Sequence, residues 1–566
     1  MNPGWTYREG PSADEERGLG EALGLPPLVA RLLWSRGIRT SEEGDRFLRP
    51  SISHMNDPYR LSDMERAVER IGAALKKGER IGLFGDFDVD GVSGAALLYR
   101  FFRRLGRDVS WRLPRRLSEG YDLSREAIED LAAEGVRLLV TIDCGITAHE
   151  SVAFAVSRGM DVIVTDHHQP KDTLPVATAV VNPKRSDCPY PFDDLAGVGL
   201  AFKLADALSA AGHGEREDLL LDLDLVAVGT IGDVAPLVGE NRVLVRAGLT
   251  RLAESNKIGL RRLLEVAGFG KKRLDYDSVA FGIGPRINAA GRLGDADPAF
   301  ELMTTESDGR AVELSTLLDR INQERKALDE RILEEALGAL DEERGAVVLA
   351  SRDWHPGVIG IVASRVKERT GTPAVLISVE NGVGRGSARG VSGFALHEAF
   401  EACSDLLLRH GGHALAAGLT IEEKKIPLFR ERFRALFEEE RENVTLPGSL
   451  TVDGDVPFEA CDRNLLETLD RLEPFGPGNQ RPILVSKLLR TVGGLRPVGK
   501  NHLKFRVGRN GRSIDAIAFR AGHEKAGEWG RWDRIDVAYS LEENTWGGES
   551  RLRLNVKGMR LATTGP

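Results

Sequence analysis

Three shortages narrow the reading of this 566-residue chain before any motif is considered. It has only four cysteines, Cys144, Cys188, Cys403 and Cys461, far apart and without a C-x-x-C pair. That excludes a disulfide-built fold and a thiolate zinc site, and leaves reduced core or surface thiols. It has no run approaching the roughly 20 apolar residues of a membrane span. From Met1 to the acidic Asp14-Glu15-Glu16 no basic segment precedes an apolar one, so neither a span nor a secretory leader is expected and the protein is read as cytoplasmic. Positive charge is also short: the formal net charge of −9 argues mildly against a nucleic-acid partner. That last argument is weak wherever carboxylates hold cations, because bound metals restore positive potential locally. Internal repeats and low-complexity segments are missing as well.

What is present looks globular, with 42% hydrophobic and 29% charged residues. The length exceeds what one hydrophobic core serves and predicts several domains. Residues 1–50 read as a helical segment, with Leu28, Val29, Leu32 and Leu33 at helical spacing. From Arg80 strands and helices alternate: strands Ile81 to Phe84, Val109 to Leu113, Arg137 to Ile142, Asp161 to Thr165 and Ala177 to Val181, with helices between. This spacing predicts a parallel sheet built from βαβ units. The segment Phe281 to Leu293 is too apolar for a linker and too glycine-rich for a helix, and is expected to be a loop lying against something. Between Pro298 and Pro356 there is no proline, and Val312 to Leu340 hold helical spacing. They predict an amphipathic helix of roughly 30 residues, about 45 Å long, a rigid spacer in preference to a coiled coil. A second α/β unit follows, with a strand at Ala346 to Ala350, a helix at Val358 to Thr370 and a strand at Ala374 to Ser378. Short, separated strands from Gly448 onward predict a small β-barrel.

The chemistry starts from Val162-Ile-Val-Thr-Asp166-His167-His168, an apolar, β-branched run that delivers a carboxylate and two imidazoles at its C-terminal end. Open α/β sheets bind ligands at that end. Asp86, Asp88 and Asp90 lie at alternate positions after the first strand. An EF-hand loop begins the same way, but Leu97 occupies the place of its bidentate glutamate and a strand precedes the motif where a helix is required. Carboxylates so close together either sit solvated in a turn or share cations. Asp143, after the strand ending at Ile142, repeats the design, and Gly232-Asp233 adds another ligand. Carboxylates with imidazole and no thiolate suit Mn²⁺ or Mg²⁺ better than zinc. Two ions about 4 Å apart would activate water and stabilise an in-line displacement at phosphorus.

In order and spacing, Asp88-Val-Asp90, Asp143, Asp166-His167-His168 and Asp233 resemble the four motifs of the DHH phosphoesterases, and His410-Gly-Gly-His413 resembles the motif of their companion DHHA1 domain. Three further stretches, Gly284-Pro-Arg-Ile-Asn-Ala-Ala-Gly-Arg-Leu293, Trp354-His-Pro-Gly-Val-Ile-Gly-Ile361 and Leu472-Glu-Pro-Phe-Gly-Pro-Gly-Asn479, are similar to the RecJ family of single-strand-specific exonucleases. The resemblance covers the chain from about Leu23 to its end. It implies an α/β fold: a parallel-sheet DHH domain over 51–305 and a smaller α/β DHHA1 domain over 345–445, joined by a long helix over 306–344. The helical segment 1–50 precedes these and an OB-fold barrel over 446–566 follows. Some members carry another domain after the barrel; none is expected here.

The resemblance also implies roles. Asp143 would bridge two ions, Asp88 would bind one, and Asp90, His167 and Asp233 the other, with Asp86 a ligand or a support for one. His168 would orient a phosphate or a ligand. Ser387 and Arg389, with Arg116, resemble a pocket for a terminal 5′-phosphate, which suits arginine's planar fork. Arg286 and Asn288 would contact the next phosphates, Arg286 also as part of the catalytic set, and His413 would close the site. In the barrel, Lys500, His502, Lys504, Phe505, Phe519 and Arg520 offer the basic and aromatic chemistry of single-strand binding, with Phe505 expected in the core. The implied activity is 5′→3′ hydrolysis of single-stranded DNA to mononucleotides in repair and recombination, by a monomer, with a single-strand-binding protein and a RecQ-type helicase as partners. Two rivals remain: a phosphodiesterase acting on nano-RNA or cyclic dinucleotides, whose members generally lack the long barrel, and a non-catalytic DNA-binding scaffold, which the filled ligand positions oppose.

Overall fold

A computed structural model of the chain describes residues 4–562 apart from 116–119, 121, 271–272, 341–344, 445–448, 500, 523–524, 531, 533 and 547–548. Two compact units divide the chain: Asn56–Ala235 with Ala247–Pro447, and Met1–Met55 with Pro236–Arg246 and Gly448–Pro566. Among the described residues no helix is long and apolar enough to cross a membrane, and all four cysteines are free.

The larger unit is organised by a five-stranded parallel sheet with neighbours in the order Val109–Arg112, Arg80–Gly85, Val136–Ile142, Asp161–Thr165, Ala179–Val181. Its central strands are buried along nearly their whole length, which is why they read as continuous apolar runs. The first strand in sequence lies between the second and the third, so the direction of winding reverses between Arg80–Gly85 and Val136–Ile142. A crevice opens outside the carboxyl ends of the strands at such a reversal. Asp86 and Asp143 follow those two strands.

The glycine-rich segment expected to be a loop is instead helical. One wide turn, Ser278–Ile283, leads into the helix Gly284–Leu293, with proline in its first turn, where its missing N–H costs nothing. Its glycines serve approach: a Cβ at Gly291 would lie 2.7 Å from the Phe87 ring and 2.8 Å from the Phe87 carbonyl oxygen. Asn288 on the same helix accepts a hydrogen bond from the Val89 amide at 2.8 Å. A helix of 31 residues, Asp308–Gly338, buries Ala311, Leu314, Leu318, Ile332, Leu333 and Ala336. Beyond it a mixed sheet runs Leu407–Gly412, Ala416–Glu422, Val383–Arg389, Ala374–Glu380, Val347–Ser351.

In the smaller unit, Leu484–Val498, His502–Arg509, Arg512–Ala518, Glu549–Leu561 and Ile535–Trp546 pair in that order. The first also pairs with the last, closing a barrel. The N-terminal helices are not a separate body. Val29, Leu32 and Leu33 share one core with Phe458, Leu484, Val507 and Tyr539, and the strand Gly4–Tyr7 pairs in parallel with Ser449–Val452. Arg242 ties the third segment in. Its guanidinium lies 3.8 Å from the centre of the Phe47 ring and donates to the carbonyls of Phe47, Glu473 and Pro474. Burial lowers its pKa to about 9, and three carbonyl acceptors compensate the charge.

Candidate functional site

Each carboxylate of the crevice reaches its place by a different local device. Asp88 caps the helix Val89–Arg104, one oxygen accepting from the Asp90 and Gly91 amides at 2.9 and 3.3 Å. This uses the orphan amides of a helix start to fix an acidic side chain. Asp90 sits in the first turn of that helix, fully buried. Asp143 follows its strand with φ +63°, a left-handed conformation that only short polar side chains tolerate well. The next residues fold back sharply: the Thr141 hydroxyl donates to the Cys144 carbonyl at 2.8 Å, and Gly145 has φ +105°. Asp233 caps the C-terminal end of the helix Leu223–Gly232, so it ends a helix and not a loop. Val234, next to it, is also forced to positive φ, 64°. For a β-branched residue this is real strain, and strain of this kind gathers at functional sites.

Brought together, these side chains form three overlapping groups: Asp86, Asp88 and Asp143; Asp143, His167 and His168; and Asp90, His167 and Asp233, each with ligand atoms within 4.8 Å of one another. Asp143 and His167 each belong to two groups. His167 Nε2 and Asp143 Oδ1 lie 3.0 Å apart. Both atoms are buried, yet neither is aligned for a hydrogen bond, and Asp86 Oδ1 is likewise buried without one. Two buried ligand-type atoms 3.0 Å apart and without hydrogen-bond partners, among further carboxylates within 4.8 Å, form a donor set that fits a shared cation.

The electrostatics agree. Burial, together with the charges of Asp90, Asp88 and Asp86, pushes the Asp143 carboxyl well above its ordinary range. Burial and the neighbouring carboxylates Asp88 for Asp86, and Asp233 and Asp88 for Asp90, do the same there. Asp233 is raised to about 7 by burial and by Asp88. His167 is lowered to about 4, by burial first and then by the charge of His168, so it stays neutral with a lone pair to give. His168 takes the opposite state. Its hydrogen bond to Asp166, 2.8 Å from Nδ1 to Oδ1, pushes it up to about 9. Burial of Asp166 works to raise its carboxyl, but the hydrogen bond and charge of His168 prevail and hold it low. Adjacent histidines thus divide into a neutral ligand type and a cation.

A metal ion competes with protons for these carboxylates. The raised folded-state values mean that the unfolded chain loses its protons first as pH rises, so the metal-free fold is progressively penalised from about pH 4 to about pH 7. His167, neutral in the fold above about 4, offers no proton to compete with metal. Its unfolded imidazole still binds one below about 6.5, so it favours the fold as pH rises through that range and partly offsets the carboxylates. The rise in Tm produced by saturating Mn²⁺ over an EDTA-treated sample is therefore expected to be larger at pH 7.5 than at pH 5. Equal increments in scanning calorimetry at the two pH values would show that protons do not occupy the site.

The other expected residues fall in distinct places. Arg389 donates from Nε to the Ser364 hydroxyl at 3.1 Å and from Nη1 to the Ser387 hydroxyl at 3.2 Å. A Cβ at Gly360, in the first turn of the helix Ile359–Thr370, would lie 2.9 Å from Ser387 Oγ and 3.3 Å from Arg389 Nη2. Ser387, Arg389 and a helix N-terminus therefore line one cradle. His413 lies exposed in the turn leading into the neighbouring strand, where Ala416 is paired with Arg389. Arg286 is buried and turned to Asp319, at 2.9 Å from Nε and 2.7 Å from Nη2, and to the Gly282 carbonyl. Asn288 holds Val89, between Asp88 and Asp90. Arg116 and Lys500 lie outside the described residues.

On the barrel, Phe505 is core, as expected. Phe519 is 47% exposed, with His502 edge-on at 5.2 Å and the Arg553 guanidinium 5.9 Å from its ring centre. Lys504 and Arg520 are exposed.

Sequence reasoning missed Asp166 as an anchor and the start of the helix Gly197–Ala210, whose amides at Gly197 and Val198 donate to the two oxygens of Asp90 at 2.6 and 2.8 Å. Its only signal was a Gly-Val-Gly run before an apolar stretch, too common a pattern to single out.

Family models match the chain in three segments. The N-terminal domain of the DHH family matches residues 80–230, the DHHA1 domain 343–439 and the RecJ OB domain 452–558. Over 564 residues the chain is 35% identical to the single-stranded-DNA-specific exonuclease RecJ of Bacillus subtilis, covering 97% of this chain and 70% of that one. It is 37% identical to the Escherichia coli RecJ, covering 94% and 95%. The crystal structure of Thermus thermophilus RecJ in complex with Mn²⁺ superposes with a TM-score of 0.84 at 34% identity, covering 98% of this chain and 79% of that one. A Mg²⁺ complex of the same protein matches at 0.76, covering 98% and 78%.

Proposed function

The chain belongs to the RecJ family of single-stranded-DNA-specific exonucleases, and from that premise we propose that it hydrolyses single-stranded DNA from the 5′ end, one 5′-mononucleotide at a time. The observation that carries the reading is the pair of orphaned, buried ligand atoms, Asp143 Oδ1 and His167 Nε2, inside a cluster of carboxylates. We assign one divalent ion, Mn²⁺ or Mg²⁺, to Asp86, Asp88 and Asp143, and a second to Asp90, His167, Asp233 and the shared Asp143. When bound there, such ions supply an activated water and stabilise charge on both oxygens of an in-line displacement at phosphorus.

The chain's own residues do the rest. His168, held protonated by Asp166, donates to a phosphate oxygen at the reacting phosphorus. Ser387, Arg389 and the amides opening Ile359–Thr370 receive the terminal 5′-phosphate, and a helix N-terminus is well suited to an anion. The cradle connects physically to the reacting centre. A Cβ at Gly357, just before that helix, would collide with the Arg292 carbonyl at the end of Gly284–Leu293, and Asn288 on the same helix caps Val89 beside the carboxylates. In the reaction the oxygen of water joins phosphorus, the P–O3′ bond breaks and the proton passes to O3′. The next nucleotide then carries the 5′-phosphate, so each product end is again a substrate end. Phe519, His502 and Arg553 on the barrel offer a stacking platform for single-stranded bases. Arg286 and His413 enter the reading as substrate contacts, Arg286 after exchanging Asp319 for phosphate.

The reading includes action in the cytoplasm, in repair and recombination, by a monomer supplied with single strands by a helicase and a single-strand-binding protein. The barrel is what separates it from phosphodiesterases of nano-RNA or cyclic dinucleotides. A time course with Mn²⁺ or Mg²⁺ on 5′-labelled single-stranded DNA, duplex DNA and RNA of equal length tests it. Labelled mononucleotide should appear first from the single-stranded DNA, and faster turnover of a dinucleotide than of the long strand would favour the small-substrate alternative.

A further inference from the structure

The segment Leu195–Val198 supplies no ligand, yet it touches three of them. The ring of His167 is hydrogen-bonded to the backbone of Leu195, which fixes the tautomer that leaves Nε2 with its lone pair. The Gly197 amide donates to Asp90 Oδ2 at 2.6 Å and the Val198 amide to Asp90 Oδ1 at 2.8 Å. A Cβ at Gly197 would meet Asp143 at 2.6 Å from Cβ, 2.8 Å from Cγ and 2.8 Å from Oδ1. That Oδ1 is the buried atom without a hydrogen bond, 3.0 Å from His167 Nε2.

Gly229, in the helix Leu223–Gly232, adds to the frame. A Cβ there would lie 2.9 Å from Asp90 Oδ1 and 2.7 Å from Val198 Cγ1. Neither Gly197 nor Gly229 is among the residues with positive φ. Both sit in helices, where alanine is the better helix former. Backbone freedom does not explain glycine at these two positions; the space taken by two carboxylates does.

We propose that Leu195–Val198, with Gly197 and Gly229 as positioning residues, is the frame that sets divalent-metal affinity in this chain. It does so by holding Asp90, Asp143 and His167 at one spacing. The inference rests on the metal assignment made under Proposed function. It extends that assignment from the ligands to the backbone that spaces them. A methyl group at Gly197 pushes on the bridging carboxylate, and one at Gly229 pushes on Asp90 and on the turn that holds it. Both distort the cluster without removing a charge.

The test uses the full chain as wild type, Gly197→Ala, Gly229→Ala and Gly309→Ala. The last is a control glycine in the helix Asp308–Gly338 with nothing within 4 Å of its Cβ position. Mn²⁺ binding is followed by electron paramagnetic resonance, thermal unfolding in EDTA reports the metal-free fold, and hydrolysis is measured against Mn²⁺ concentration. Gly197→Ala and Gly229→Ala are expected to unfold cooperatively in EDTA like the wild type, while binding Mn²⁺ about 10- to 100-fold more weakly, the usual loss when a ligand's support is disturbed. Half-saturating Mn²⁺ for hydrolysis should rise in step, with kcat largely recovered at saturation. Gly309→Ala should match the wild type throughout. Wild-type Mn²⁺ affinity in both test variants overturns the inference. So does failure of both to fold, because the glycines would then be packing devices. A wild-type chain that binds no Mn²⁺ would instead sink the metal assignment itself.

Discussion

Asp143→Asn is expected to lower single-strand hydrolysis at saturating Mn²⁺ by at least about a thousandfold, several kcal/mol of lost charge stabilisation at about 1.4 kcal/mol per tenfold. Asparagine is the sharper choice than alanine. It keeps the shape of the side chain and, like aspartate, tolerates the left-handed backbone at φ +63°, so the loss reports charge and not refolding of the turn. Asp143 is shared by two of the three ligand groups, so its removal weakens both cation positions together. Asp143→Ala should be as inactive, with some added loss of stability. Binding of a 5′-phosphorylated oligonucleotide, which on our reading uses Ser387, Arg389 and the barrel, should survive in both variants. Hydrolysis by Asp143→Asn at more than a few per cent of the wild-type rate, with Mn²⁺ saturating, would remove Asp143 from the centre.

The second large effect is expected at the opposite end of the site. Arg389→Ala should raise KM for a 5′-phosphorylated strand by on the order of a hundredfold, the cost of losing a pair of charge-assisted hydrogen bonds. It should leave a 5′-hydroxyl strand nearly unaffected and kcat little changed. The guanidinium is pre-oriented by the hydroxyls of Ser364 and Ser387, so little order remains to be imposed when phosphate arrives. Arg389→Lys should recover only part of the loss, since an ammonium group cannot present two parallel donors. If the wild type and Arg389→Ala discriminate equally between phosphorylated and unphosphorylated ends, the cradle does not read the 5′-phosphate.

Much of this site was legible in the sequence because its chemistry is local. Asp86, Asp88, Asp90 and Asp143 follow a strand or open a helix within a few residues, and burial of the strands wrote the apolar runs that flag them; Asp233 instead ends a helix. The division of labour between adjacent histidines was legible only in outline. It depends on Asp166 reaching His168 and on the buried surroundings of His167, which bring one imidazole to about 9 and the other to about 4. The glycines of Gly284–Leu293 misled in the other direction. In isolation they weaken a helix, but Gly291 stands against Phe87, and packing outweighs propensity there.

The amino-acid sequence by itself determined which side chains are candidates for metal and phosphate and which kinds of domain carry them, because ligand type and strand period are properties of neighbouring residues. The tertiary structure alone decided the rest. It set the winding reversal that places Asp86 and Asp143 at one crevice and the shared core of the N-terminal helices with the barrel. It also made the frame in which Leu195, Gly197 and Gly229 space Asp90, Asp143 and His167. These depend on contacts between residues scores of positions apart, and hydrophobic periodicity carries no record of which distant backbone comes within 3 Å of a carboxylate.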